Sequence, residues 1–144
     1  MTKKNYLFIL VVAVLAAVYV IYFTDWFRPK TVSIYYTSRH LHPRALRGGA
    51  LPELVFGVNQ SVQITEIKVV PVADLRTNLH PLPTWHLVSN SNSVPVKQFH
   101  YGQFIGGMRP TILGARPQSL TTNVIYRLFL TAGRITGQTD FELK

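Results

Sequence analysis

The sequence predicts an all-β domain, an antiparallel β-sandwich, behind a single N-terminal transmembrane α-helix. Three observations predict it. Residues 7–23 (LFILVVAVLAAVYVIYF) form one apolar run of 17 residues without a charge or an amide. The chain beyond it repeats period-two alternation of β-branched and aromatic residues between turn clusters. No stretch after Arg28 sustains a helical period over ten residues. The organisation that follows is a tail and helix over 1–27 and a β-domain over 28–144. That domain has 117 residues, enough for one compact core.

As a helix the apolar run is about 25 Å long, at the short end of what a bilayer core requires. Tyr6 and Phe8 mark one edge, and Tyr19, Tyr22, Phe23, Trp26 and Phe27 crowd the other, where amphipathic rings favour the headgroup level. Lys3 and Lys4 with Val14-Leu15-Ala16 also fit a cleaved signal peptide. Cutting after Ala16 would leave a new N-terminus that stays apolar through Phe23, so an uncleaved signal-anchor is expected. Ala13, Ala16 and Ala17 form a small-residue stripe suited to packing against another helix. The basic n-region places the N-terminus inside and the domain outside the cytoplasm, periplasmic if the source is bacterial. Counting out to Arg39, Arg44 and Arg47 reverses that orientation.

The strands follow in order. In 31–37, Val32, Ile34 and Tyr36 share a face, as do Leu54, Phe56 and Val58 in 53–59. Asn59-Gln60-Ser61 reads as a turn and, by pattern, a glycosylation sequon. A long strand is expected over 62–72, with a β-bulge near Thr65-Glu66 where the apolar set shifts from Val62/Ile64 to Ile67/Val69. Trp85 and Leu87 begin another strand, ended by Ser89-Asn90-Ser91-Asn92-Ser93. Residues 94–101 form the next, with Pro95 placing it at an edge. Finally Val124, Tyr126, Leu128, Leu130 and Ala132 alternate inward, and a turn over 133–137 leads into a strand over 138–143.

Residues 120–132 (LTTNVIYRLFLTA) resemble the penultimate strand of a fibronectin type III or related immunoglobulin-like domain. Leu120 stands six residues before Tyr126, and the hairpin to Leu143 matches the final strand. The resemblance covers about 25 of the 144 residues, and Thr121-Thr122-Asn123 stands where the family carries a Pro-Gly turn. It implies an immunoglobulin-like sandwich whose Tyr126 hydroxyl bonds backbone at a corner. It implies no chemistry, because such folds serve unrelated purposes.

Two segments do not fit as strands: a basic connection over 38–52 and a glycine-rich loop over 102–119. Loops of that size in a small domain are functional or disordered. The apolar Phe104, Ile105, Met108, Ile112 and Leu113 are expected to pack, first on the domain itself and otherwise on a partner.

Catalysis is not expected. The absence of cysteine excludes a thiol nucleophile, a disulfide scaffold, a Cys-ligated zinc and an iron–sulfur cluster. No Gly-x-Ser-x-Gly elbow occurs, and residues 102–107 (GQFIGG) are not a nucleotide-binding fingerprint. His40 and His42 sit two apart, and His80, His86 or His100 would have to complete a metal site beside repelling Arg39, Arg44 and Arg47. Asp140 and Glu142 read as a solvated strand face. No metal and no cofactor is therefore expected.

The net charge is +9, from 15 Lys+Arg against 6 Asp+Glu, and residues 24–144 keep 13 of the basic groups and all 6 acids. A tethered domain outside the cytoplasm meets little nucleic acid, so no nucleic-acid partner is expected. Anionic lipid headgroups or acidic subunits are the expected counterparts. The expectation is a non-catalytic accessory subunit of a larger membrane complex, of respiratory, photosynthetic, transport or secretion type. Its contacts would be other membrane-protein subunits, met through Arg39, Arg44, Arg47, Phe104, Met108, Arg109 and Arg116. The alternative is a free-standing, membrane-anchored binding module of the cell envelope.

Overall fold

A computed structural model describes residues 3–23, 30–38, 53–90 and 92–144. The first element, α1 (Lys3–Phe23), has 21 residues. It takes up Lys3 and Lys4 ahead of the apolar run and rises about 31 Å, close to the thickness of a bilayer core. Apolar side chains occupy its whole circumference, and none of its residues is buried. Its most apolar window has a mean hydropathy of 2.7, so α1 is long and apolar enough to cross a membrane.

Beyond it the chain forms β1 (Ile34–Ser38), β2 (Leu54–Val62), β3 (Glu66–Pro71), α2 (Val72–Thr77), β4 (Trp85–Val88), β5 (Val96–His100), β6 (Arg109–Pro110), β7 (Ile125–Ala132) and β8 (Ile135–Glu142). Two antiparallel sheets result, ordered β1-β2-β5 and β6-β4-β3-β7-β8. Alternation decides which side chains go inward. On β7, Tyr126, Leu128, Leu130 and Ala132 are buried while the residues between them are not. On β2, Leu54, Phe56 and Val58 are fully buried.

Both sheets contribute to one hydrophobic cluster. A chain of rings runs through it. Tyr126 stacks on Phe141 at 5.7 Å, and Phe141 meets Phe56 edge-on at 5.1 Å. Phe56 lies 5.5 Å from Phe99, Phe99 6.3 Å from Trp85, and Trp85 5.2 Å from Tyr101. Each such pair contributes about 0.5–1.5 kcal/mol beyond the area it buries. The Phe56–Phe141 and Phe99–Trp85 pairs join one sheet to the other.

Several expectations change in register. Asn59-Gln60-Ser61 is not a turn but part of β2, whose pairing with β5 shifts between Gly57 and Val62. The bulge expected near Thr65-Glu66 is a crossing: residues 63–65 carry the chain from one sheet to the other. Val62, Ile64, Ile67 and Val69 are all buried, so the apolar set changes parity because the inward direction reverses between the facing sheets. The strand expected to reach Val72 stops at Pro71, and α2 follows. Its six residues are too few to write a helical period into the sequence. The last strand starts at Ile135, not 138, because Gly133 and Arg134 alone make the turn. Gly133 has φ 63, the positive value a two-residue hairpin needs at its first central position.

Gly137 answers a close approach. Val32 N–H donates to the Thr136 carbonyl at 3.0 Å, and Thr136 N–H donates to the Lys30 carbonyl at 3.2 Å. Residues 30–32 thus lie along the edge of β8 before β1 joins the other sheet. A Cβ on Gly137 would stand 2.7 Å from the Val32 carbonyl oxygen.

Register also sorts the loops between two ends. Ile34 faces Val58, Val62 faces Val96, and Glu66 faces both Val88 and Thr131. The end where the chain joins the β-domain, the proximal end, therefore holds the 63–65 crossing and the Gly133-Arg134 hairpin. Ser38 faces Leu54, His100 faces Val55, and Ile125 faces Glu142 at the distal end.

Candidate functional site

Both segments singled out in the sequence depart from the distal end. The chain leaves it after Ser38 and returns at Leu54, its pairing partner. Tyr101 N–H then donates to the Leu54 carbonyl at 2.9 Å, so the glycine-rich loop begins beside that return point. Arg39, Arg44 and Arg47 lie outside the described residues.

Two tyrosines pin the glycine-rich loop. The Tyr101 hydroxyl donates to the Gln118 carbonyl at 2.8 Å, tying the start of the loop to its finish. The Tyr126 hydroxyl accepts from Thr121 N–H at 3.0 Å just beyond. Burial pushes the Tyr101 phenol up to about 12, so it stays a neutral donor. Gln118 N–H donates to the Thr84 carbonyl at 2.9 Å, and β6 pairs with the outer edge of β4. Ile105 and Met108 sink into the core below.

The loop thereby splits in two, which its composition did not foretell. Met108, expected to touch a partner, is 4% exposed and belongs to the core, because the turn over 106–107 swings it inward. Phe104 is 77% and Leu113 98% exposed, and Ile112 is exposed with them. Arg109 and Arg116 are exposed as well. Of the expected contact residues in this loop, Phe104 and Arg116 come together in one lining, whereas Arg109, at the head of β6, pairs with Val88 outside it.

Between the loop and β4 runs a groove of about 380 Å³, lined by residues 82–87, 102–104, 110–112 and 115–118. Its floor includes the buried Trp85 and Leu87, and Leu82, Phe104 and Ile112 stand exposed at its margins. The lining holds no Asp or Glu. Its cation is Arg116, and its one histidine, His86, places Nε2 2.8 Å from Glu66 Oε1. Leu82 was not anticipated, nor was Leu79, which is exposed in the same connection. The signal was present: a Pro-punctuated link over 78–83 (NLHPLP) carries two leucines that no alternation assigns to a core.

Arg127 and Asp140 face each other on β7 and β8 and form a two-pronged pair, Nε to Oδ1 at 2.6 Å and Nη2 to Oδ2 at 2.9 Å. The guanidinium holds the Asp140 carboxyl below its ordinary range. Among the described residues no three His, Asp or Glu side chains come together as metal ligands. On α1, Ala13, Ala16 and Ala17 are exposed to whatever surrounds the helix.

Comparison with known proteins finds no match to a family model, a curated protein or a solved structure.

Proposed function

We propose that this protein is a non-catalytic, single-pass accessory subunit of a larger membrane complex. In this reading α1 crosses the bilayer, and an immunoglobulin-like β-sandwich stands outside the cytoplasm, periplasmic in a bacterium. Partner subunits are met by the helix and by the distal loops, and anionic headgroups by basic side chains nearer the lipid. The observation that carries the reading is α1: 21 residues, apolar on every side, none of them buried against the described residues. A helix apolar all round needs an apolar surrounding.

The sandwich reading is supported by strand order. Apart from the two-residue β6, the first, second and fifth strands form one sheet, and the fourth, third, sixth and seventh form the other. That is the division an immunoglobulin-like domain makes when its fourth strand joins the sheet of the last two. The Tyr126 hydroxyl bonded to Thr121 backbone also accords with it. The subunit reading is supported by the second apolar surface, the margin of Phe104, Ile112 and Leu113, which the described residues leave exposed.

Extraction of the tagged protein from native membranes in mild detergent tests this. Comigration with stoichiometric partners is expected, and a clean monomer contradicts it. That second outcome favours a free-standing, anchored binding module, for which the 380 Å³ groove would be the ligand site.

A further inference from the structure

The distal groove has a property that the accessory-subunit reading, on which this inference rests, does not by itself require: a chemical sign. We propose that the groove takes an apolar segment of a partner subunit that carries carboxylates, gripped between Phe104 and Ile112 and read by Arg116.

Three observations lead there. The groove is preformed. Tyr101 and Gln118 fasten the two ends of the loop to each other, Gln118 fastens it to β4, and Ile105 and Met108 root it in the core. The backbone that carries Phe104 and Ile112 is thus fastened at both ends, so less of its freedom is lost on binding, which favours a specific partner. The groove is also one-signed. Its lining contains Arg116 and no carboxylate, and the sequence has no Asp or Glu between Asp74 and Asp140. The nearby Glu66 carboxylate is engaged by His86. A basic segment would meet Arg116 with no carboxylate in the lining to offset it, whereas a carboxylate would find a planar, two-pronged donor. Finally, the groove is concave: it opens beside the 78–83 link and runs along β4 from Trp85 as far as Leu87. A concave site suits a projecting protein segment better than a flat lipid surface.

The test uses the full chain in its native membranes, with a photoreactive phenylalanine analogue at Phe104 and, separately, at Leu15 on α1. Both side chains are exposed, so neither substitution disturbs the core. From position 104, the expected product is a crosslink to a protein segment with Asp or Glu within a few residues of the captured apolar side chain. Arg116→Glu is expected to lower that yield about tenfold, a change of the size that juxtaposed like charges produce. Arg116→Lys should keep most of it, and Arg109→Glu, outside the lining, should change it less than Arg116→Glu. Crosslinks to lipid alone, to a segment without carboxylates, or in a yield indifferent to Arg116→Glu overturn the inference. If position 15 still captures a protein in any of those cases, the accessory-subunit reading survives the loss. If neither position captures protein, both fall.

Discussion

The proximal and distal ends of the β-domain are finished by the same strands and yet differ in how much apolar surface they present. At the proximal end the chain crosses and turns on Gln60, Ser61, Gln63, Gly133 and Arg134, all exposed, and of the large apolar side chains there Val94 is exposed with them. At the distal end it shows Leu79, Leu82, Phe104, Ile112 and Leu113. The core between them is continuous, so packing does not force the difference. A polar finish is what solvated turns need. Five exposed large apolar side chains at one end have no such reason, and three of them sit on a loop whose two ends are fastened to each other. The contrast separates what the chain needs in order to fold from what it keeps for something else.

The strongest way to break the comparison is to damage what both ends share. Phe56→Ala removes the ring that links Phe99 to Phe141 and is expected to cost about 3–5 kcal/mol. A chemical denaturation curve on the detergent-solubilised chain reads it. Loss well under 2 kcal/mol would mean that the two sheets hold together by other means.

Next in size is a charge in α1. Leu15→Arg near the helix centre should cost about 2.5–3.5 kcal/mol of insertion. Alkaline carbonate extraction would move the protein from pellet to supernatant, and an unchanged pellet would show α1 to be something other than a lipid-facing span.

A smaller effect sharpens the distal end. Tyr101 keeps its proton to about pH 12, against an ordinary value of 10.0. The folded state thus holds a proton that the unfolded state releases, and stability falls as pH rises from about 10 to about 12. Tyr101→Phe should remove that part of the slope, seen as a flatter stability profile than the parent's above pH 10.

The smallest expected effect is at the exposed margin. Phe104→Ser and Leu113→Ser should each change stability by no more than about 0.5 kcal/mol, since neither side chain is buried. Equal loss of stability at Leu113 and at Phe56 would erase the distinction between fold and surface.

Much of this organisation was legible in the residues. The helix announced itself through an uninterrupted apolar run, and β7 through the alternation from Tyr126 to Ala132. What stayed hidden was non-local. Alternation tells which side chains share a face but not which sheet the strand joins, so the crossing at 63–65 looked like a bulge in one strand. The start of β8 at Ile135 depended on a turn of only two residues, and α2 is too short to leave a period. At the site, composition could not separate Met108, which a turn buries, from Phe104, which the same loop exposes. Leu79 and Leu82 lie in a proline-rich link, where neither alternation nor a helical period assigns a leucine to a face.

The central claim is that α1 lies in lipid with the proximal end near the surface and the distal groove held away from it. The seven peptide steps from Phe23 to Lys30 reach at most about 25 Å, which limits how far the proximal end can stand off. Because the chain has no cysteine, single labels are unambiguous. Leu15→Cys, Arg134→Cys and Leu113→Cys would each carry a fluorophore in vesicles containing lipid-attached quencher. Strong quenching at position 15, partial quenching at 134 and none at 113 is the predicted order. A label at 113 quenched as strongly as the one at 15, or a label at 15 left unquenched, would contradict it.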